Sequence, residues 1–88
     1  MTRLELSWSS SGWADYLYWQ KTDRAVLKRV NVLIEDCLRG NETESIGKPE
    51  PLRHDLSGYW SRRINHEHRL VYSVTESTVV IISARHHY

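Results

Sequence analysis

The N-terminal half of the chain changes from the hydrophobic period of a strand to that of helices. Residues 4–8 alternate apolar and polar side chains, which is typical of a half-buried strand. Three serines at positions 9–11 then offer N-caps, and large side chains recur behind them at helical spacing. The pattern predicts a first helix from about Ser11 to Lys21. Its two tryptophans are expected to pack against the sheet: Trp13 and Trp19.

A second stretch of helical spacing follows at once. Apolar side chains recur every three or four residues along one stripe: Val26, Val30, Leu33, Ile34, Cys37 and Leu38. We expect this helix to begin after an N-cap at Thr22 or Asp23. It should end at Arg39 and Gly40, where a cation in the last turn precedes a glycine. The stripe is better explained as core than as a binding groove, and the two helices form a helical hairpin.

The second half of the chain predicts a stiff loop followed by three short strands. Residues 40–58 contain three of the four glycines and both prolines, and Pro-Glu-Pro restricts the backbone around Glu50. Three strand patterns follow, separated by turns: 60–64, 68–74 and 78–85. The last strand is expected to lead straight into His86, His87 and Tyr88. These elements predict an α+β fold, an antiparallel β-sheet with the N-terminal helical hairpin packed on one face.

Composition limits the class of protein. The 88 residues suffice for one core, and we take residues 1–88 as a single domain. The single cysteine, Cys37, excludes a disulfide framework and a cysteine-rich metal site. The sequence contains neither a membrane-spanning apolar run nor the apolar core of a signal peptide, so a cytoplasmic protein without membrane contact is expected.

Charge is distributed unevenly along the chain. The net charge is +1, but residues 45–88 hold six Lys or Arg against four Asp or Glu, and all five histidines. This excess favours an anionic partner, although chance explains so small an excess about equally well.

Strand alternation brings two arginines together. Arg63 shares one strand face with Ser61, and a hairpin turning at residues 65–67 puts Arg69 opposite or diagonal to Arg63. Like charges at that separation repel each other. This favours an anion between the two side chains over pairing of each arginine with a carboxylate such as Glu67.

These arginines and three further groups suit the cleavage of RNA through its own 2′-hydroxyl. That reaction needs a base for the hydroxyl, cations for the phosphorane and an acid for the departing 5′-oxygen. Glu50 could be the base, with Arg63 and Arg69 as the cations. His87 could be the acid, and the Tyr88 ring could stack on a base. Taken singly, Glu50 is slightly better explained by a salt bridge, and His87 by an ordinary surface position.

No metal and no other cofactor is expected. The chain lacks a cluster of carboxylates. His86 and His87 are adjacent on the predicted strand, so they would point to opposite faces and could not easily bind one ion together.

Several motifs in order resemble one known family. They are Gly47-Lys48-Pro49-Glu50-Pro51-Leu52, the segment from Leu56 to Ile64, Glu67-His68-Arg69-Leu70-Val71-Tyr72 and the terminal Arg85-His86-His87-Tyr88, preceded by the segment from Asp15 to Gln20. Together they resemble the YoeB/Txe toxins of the RelE/ParE superfamily of bacterial toxin–antitoxin systems. The resemblance covers nearly the whole chain and implies a compact, microbial-RNase-like (RelE-like) domain.

The resemblance implies an mRNA interferase, a ribosome-dependent endoribonuclease that cleaves mRNA in the ribosomal A site without a metal ion and inhibits translation. Carried over by position, Glu50 would be the general base and His87 the general acid. Arg69 would stabilise the transition state, and Tyr88 would orient a nucleotide or stack on it. Three further cations would bind the substrate: Lys48, Arg53 and Arg63.

Partners are implied as well. A YefM/Axe-type antitoxin of the Phd family would fold its C-terminal segment onto the toxin, and operator DNA would be bound only through that complex. A homodimer is also compatible with the family. Two non-catalytic alternatives remain, a toxin of this fold that inhibits DNA gyrase and a nucleic-acid-binding co-repressor subunit. Neither alternative needs Glu50, Arg69 and His87 together.

Three features depart from the family pattern. Arg53 stands where Lys is expected, His86 stands where an aromatic residue is expected, and residues 41–46 lack a Pro-Phe pair. The guanidinium of Arg is planar with several fixed donors, whereas the ammonium of Lys is a point charge, so Arg in place of Lys at position 53 alters the geometry of a phosphate contact. None of the three removes a proposed catalytic group.

Overall fold

The computed structural model describes residues 3–40 and 46–86, which have the predicted α+β architecture. The elements in chain order are β1 (Glu5–Trp8), α1 (Ser10–Thr22), α2 (Arg24–Arg39), β2 (Glu50–Pro51), a 3-10 turn (His54–Leu56), β3 (Trp60–Arg63), β4 (Arg69–Val74) and β5 (Thr78–Ser83). The strands form one five-stranded sheet in the order β1-β5-β4-β3-β2. Within these residues, no helix is long and apolar enough to cross a membrane.

Both helices begin after a residue whose side chain caps the first turn, and both end at a residue whose backbone N–H binds a carbonyl of the last turn. Ser9 caps α1, because its Oγ accepts a hydrogen bond from the backbone N–H of Gly12 at 2.9 Å. Asp23 caps α2 by accepting from two backbone N–H groups of the first turn. Gly40 ends α2 with a φ of 70°, a left-handed conformation that glycine adopts without steric cost. The predicted helical hairpin is confirmed.

The apolar stripe of α2 forms the core against one face of the sheet, as predicted. Helix α2 and strands β4 and β5 supply most of its buried side chains: Val30, Leu33, Ile34, Cys37, Leu38, Leu70, Tyr72, Val79 and Ile81. Burial of these side chains removes apolar surface from water, which is the main driving force for docking the helices on the sheet.

The two tryptophans of α1 differ in their environments. Trp19 is buried as predicted, and its Nε1 donates to the carbonyl oxygen of Ala84 at 2.8 Å. Trp13 also contacts the sheet as predicted, because its ring packs edge-on against Trp8 of β1 at a centroid distance of 5.3 Å. The ring stacks on Tyr16 at 5.8 Å and is 46% exposed, so this contact lies outside the core.

Two strand pairings differ from the prediction. Strand β1 pairs in parallel with β5, so the sheet is mixed, and only β2 to β5 are antiparallel. The two helices supply the long connection that a parallel pair requires. Glu50 and Pro51 do not lie in a loop but form strand β2, which pairs with β3. Proline is tolerated there because β2 is at the edge of the sheet.

The end of β5 also differs from the prediction. The strand ends at Ser83, and the chain then bends, with a φ of 62° at His86. Side-chain alternation therefore does not extend to His86, and the predicted opposition of His86 and His87 loses its basis. His87 and Tyr88 lie outside the described residues, as do residues 41–45 of the loop.

Candidate active site on the open face of the sheet

Strand pairing aligns four side chains in one row across the sheet. Glu50 pairs with Ser61, Ser61 with Val71, and Val71 with Ser83. Side chains of directly paired residues point to the same face. Leu70 precedes Val71 in β4, and its side chain points into the core beneath the helices. Successive side chains of a strand point to opposite faces, so the row lies on the face away from the helices. We call this the open face.

Two arginines lie beside this row on the open face. Arg63 pairs directly with Arg69, which confirms the predicted register. Together with Asn65 and His66 they line a cleft of about 220 Å³. The side chain of Arg63 is exposed, whereas that of Arg69 is only 16% exposed. Two like charges at this separation favour the binding of an anion in the cleft.

Arg69 is positioned by a residue that the sequence analysis did not single out. Its Nε donates a hydrogen bond to Oγ of Ser61 at 2.9 Å, and Ser61 is 2% exposed. The Nη2 of Arg69 is buried and makes no hydrogen bond within the described part of the chain. A buried donor without a partner costs about 1–3 kcal/mol. This N–H group is therefore oriented and available for an anionic oxygen.

Glu50 lies next to that available donor. Its Oε1 is 3.8 Å from Nη2 of Arg69, which is an ion pair but is too long for a hydrogen bond. The Glu50 side chain is 61% exposed, so the carboxylate remains accessible to a substrate. The geometry is thus compatible with both functions considered for Glu50, a loose salt bridge and an accessible carboxylate beside Arg69, which lines the cleft.

The remaining predicted residues flank the site to different extents. Lys48 and Arg53 lie within three residues of Glu50 on either side of it, and both are exposed. Lys48 has a φ of 48°, so the chain turns immediately before β2. Over residues 3–40 and 46–86, no three His, Cys, Asp or Glu side chains are grouped as metal ligands would be. His87 and Tyr88 are outside these ranges, and their roles stay predictions.

Arg62 is adjacent to Arg63 but lies on the opposite face of β3 and has a structural role. It is 3% exposed, its Nε donates to Oη of Tyr72 at 2.9 Å, and its Nη1 donates to Oδ2 of Asp36 in α2. Burial lowers the pKa of Arg62, but hydrogen bonds with Tyr72 and Asp36 outweigh it, so the pKa is raised overall. Arg62 therefore links α2 to the sheet as a permanent cation.

Two other groups near Arg62, the Tyr72 phenol and the Cys37 thiol, are held in their neutral forms. Burial raises the pKa of the Tyr72 phenol to about 12, although the Arg62 hydrogen bond opposes that rise. Burial also raises the pKa of the Cys37 thiol to about 11. A thiol with a raised pKa is a poor nucleophile, so this buried cluster offers no reactive thiolate.

Ser61 and Arg62 make contacts that the sequence analysis missed. Ser61 could have been found, because it lies two residues from Arg63 on the same strand face and is therefore diagonal to Arg69. The bond between Arg62 and Asp36 could not have been predicted, because Asp36 lies in a helix far along the chain and no local sequence pattern joins the two residues.

A helical hairpin on one face of a small five-stranded sheet is the fold of bacterial toxins with solved structures, and a YoeB/ParE toxin from Agrobacterium tumefaciens is similar with a TM-score of 0.89 at 44% identity, covering 97% of this chain and 100% of that chain. A family model described as "YoeB-like toxin of bacterial type II toxin-antitoxin system" matches residues 8–88. The Toxin YoeB of Escherichia coli K12 is 54% identical over 85 residues, which cover 97% of this chain and 100% of that protein. The chain belongs to the family of YoeB-like toxins of bacterial type II toxin–antitoxin systems.

Solved structures agree with this assignment. A YoeB dimer from Staphylococcus aureus is similar with a TM-score of 0.88 at 45% identity, covering 99% of this chain and 100% of that chain. A heterotetrameric YoeB–YefM toxin–antitoxin complex from the same organism gives a TM-score of 0.86 at 45% identity, again with 99% and 100% coverage. The predicted family and fold class are confirmed.

Proposed function

We propose that this chain is a metal-independent, ribosome-dependent endoribonuclease that cleaves mRNA in the ribosomal A site and inhibits translation. The observation that carries the proposal is the buried Nη2 of Arg69, which has no hydrogen-bond partner in the described residues and lies 3.8 Å from the Glu50 carboxylate. A base and a charged donor this close can act on the 2′-hydroxyl and on the phosphate of one nucleotide.

Each step of the proposed reaction has a candidate residue. Glu50 takes the proton of the 2′-hydroxyl, and the oxygen attacks the adjacent phosphorus. The bond from phosphorus to the 5′-oxygen breaks, and His87 donates a proton to that oxygen. The products are a 2′,3′-cyclic phosphate and a 5′-hydroxyl. Arg69 stabilises the charge of the phosphorane, and Arg63, directly opposite Arg69, holds a non-bridging oxygen.

The other proposed residues bind and orient the RNA. Lys48 and Arg53 are exposed on both sides of Glu50, where they can contact backbone phosphates. Tyr88 stacks on a nucleotide or orients it next to His87. These contacts supply affinity and register, while the bond-making groups are those of the cleft.

We also propose an antitoxin of the YefM type as the partner that neutralises the chain. The support is the relative from Staphylococcus aureus whose structure is a YoeB–YefM complex, and the described YoeB dimer supports a homodimer. Operator DNA would be contacted only through the antitoxin complex. The toxin would act as one domain of residues 1–88 in the cytoplasm, where its ribosomal target is found.

Purified ribosomes programmed with a defined mRNA test the proposal. The wild-type chain should cleave within the A-site codon and leave a 2′,3′-cyclic or 3′-phosphate end. Glu50→Gln should lower the single-turnover rate about 10²-fold or more, because the general base is lost. Glu76→Gln, in the exposed turn between β4 and β5, is the matched control and should cleave like wild type.

Two outcomes would contradict the proposal. Products with 3′-hydroxyl ends would point to metal-dependent hydrolysis by water and not to attack by the 2′-oxygen. A wild-type chain that leaves ribosome-bound mRNA intact but inhibits gyrase would favour the non-catalytic alternative.

A further inference from the structure

The chain beyond β5 bends at a turn whose backbone is held on both sides. His86 has a φ of 62°, a left-handed conformation that is uncommon outside glycine. Its backbone N–H donates to Nδ1 of His68 at 2.7 Å. Its carbonyl oxygen accepts from the backbone N–H of Arg69 at 2.8 Å. His68 in the turn before β4 and Arg69 at the start of β4 thus bind both polar backbone groups of His86.

The imidazole of His68 is itself fixed in place. His68 is 9% exposed, and its ring packs edge-on against Trp19 of α1 at a centroid distance of 4.8 Å. Its backbone N–H donates to Oδ1 of Asn65 at 2.7 Å, and its carbonyl oxygen accepts from the N–H of Ile64 at 3.0 Å. The ring therefore presents one defined edge to the turn at His86.

The hydrogen bond to His86 determines which ring nitrogen of His68 carries the proton. A backbone N–H can only donate, so Nδ1 must offer its lone pair and the proton of the neutral ring must be on Nε2. Nε2 lies 3.7 Å from Oε1 of Glu67, an acceptor that suits a protonated nitrogen. The structure thus assigns the Nε2–H tautomer to His68.

We propose that His68 is a positioning residue, a neutral imidazole whose Nδ1 holds the backbone of His86 and so fixes where His87 and Tyr88 begin. The inference rests on the proposed function, because it assigns His68 a role through the terminal residues. The bond from the N–H of Arg69 to the same turn ties the proposed acid to the proposed phosphate ligand. A shared backbone frame is what keeps reacting groups at productive distances.

Three variants isolate the acceptor from the rest of the ring. His68→Asn keeps an acceptor near the place of Nδ1 but cannot be protonated, and His68→Leu removes the acceptor at similar size. His86→Asn is the control, because it removes only the neighbouring imidazole, retains the backbone N–H and tolerates positive φ. We expect His68→Leu to slow single-turnover cleavage about 10²-fold, the effect of misplacing a reacting group. His68→Asn should cleave near the wild-type rate, because the acceptor for the His86 N–H is retained.

The anchor is the hydrogen bond from the His86 N–H to Nδ1 of His68, and nuclear magnetic resonance tests it without ribosomes or cleavage. Long-range proton–nitrogen spectra should show His68 as the Nε2–H tautomer in the wild-type protein at neutral pH. Amide exchange at His86 should be slow in wild type, His68→Asn and His86→Asn, and fast in His68→Leu. If His68→Leu does not fold, the wild-type tautomer and the His86 amide exchange of His68→Asn still decide the matter.

One set of results would contradict the anchoring role of His68, and a different set would contradict the proposed function. An Nδ1–H tautomer, or slow His86 exchange in a folded His68→Leu, would overturn the anchor. Full cleavage activity in His68→Leu would overturn it as well. Full activity in His87→Gln, with the tautomer and exchange as expected, would instead overturn the proposed role of the terminal acid.

Discussion

Replacing Arg69 by Gln should separate catalysis from stability. In the folded protein the guanidinium donates to Ser61 at 2.9 Å, forms a loose ion pair with Glu50 at 3.8 Å and faces Arg63 across the strand pair. Its Nη2 is buried with no hydrogen bond in the described residues. The side chain therefore makes some contacts that stabilise the fold and others that cost stability.

These contributions nearly cancel. Loss of the charged hydrogen bond to Ser61 costs about 1.5–3 kcal/mol, and loss of the pair with exposed Glu50 costs about 0–1 kcal/mol. Removal of the unsatisfied buried donor returns about 1–3 kcal/mol, and the repulsion from Arg63 disappears. The free energy of unfolding should therefore change by about 1 kcal/mol or less. Loss of a donor to the transition state instead raises the barrier by about 2.7–4 kcal/mol, or 10²–10³ in rate.

Urea unfolding and single-turnover cleavage on programmed ribosomes measure the two quantities separately. Arg62→Met is the matched control, because Arg62 is the same residue type one position earlier, with 3% exposure and a bond to Asp36. Breaking that buried pair should cost about 3–5 kcal/mol of stability, while the folded fraction retains its cleavage rate. A loss of about 3 kcal/mol or more in Arg69→Gln, with cleavage at the wild-type rate, would refute the reasoning.

Three further predictions concern the core, the helix–sheet contact and the terminus. Burial raises the pKa of the Cys37 thiol from 9.0 to about 11, so the thiol ionises first in the unfolded chain and the free energy of unfolding should fall between those pH values. In urea titrations Cys37→Ala should make this fall less steep, and an unchanged slope would argue against the raised pKa of Cys37. A Cβ at Gly12 would lie 2.2 Å from the carbonyl oxygen of Ile81, so Gly12→Ala should lower the free energy of unfolding by about 1–3 kcal/mol, and a neutral result would show that α1 can shift. Deleting Tyr88, or replacing His87 by Gln, should relieve growth arrest on induced expression, and unchanged toxicity in both would rule out a terminal active site.

Elements set by local chemistry were predicted closely. Helix α2 was expected to begin after Thr22 or Asp23 and to end at Gly40. The structure has Asp23 and Gly40 as its caps, because a cap depends on a few neighbouring residues. Strand β2 was not predicted, since Glu50 becomes part of a strand only through its pairing with Ser61. The end of β5 was extended too far, because the apolar alternation continues past Ser83 while the backbone bends toward His68.

The same distinction applies to the candidate site. The pairing of Arg63 with Arg69 followed from strand period and turn position, which the sequence carries. The hydrogen bonds of Ser61 and His68 depend on side-chain geometry across elements, and the role of His68 depends on a turn that the pattern did not indicate. Sequence alone therefore brought the charged groups together but did not reveal which residues orient them.

The central claim is that the RNA supplies the attacking oxygen. The most direct measurement uses ribosome-bound mRNA with one 2′-deoxynucleotide placed on the 5′ side of the scissile phosphate in the A-site codon. If the 2′-oxygen attacks, cleavage at that phosphate should be abolished, while the same substitution in a codon outside the A site should have no effect. Cleavage of the substituted mRNA at an unchanged rate would contradict it.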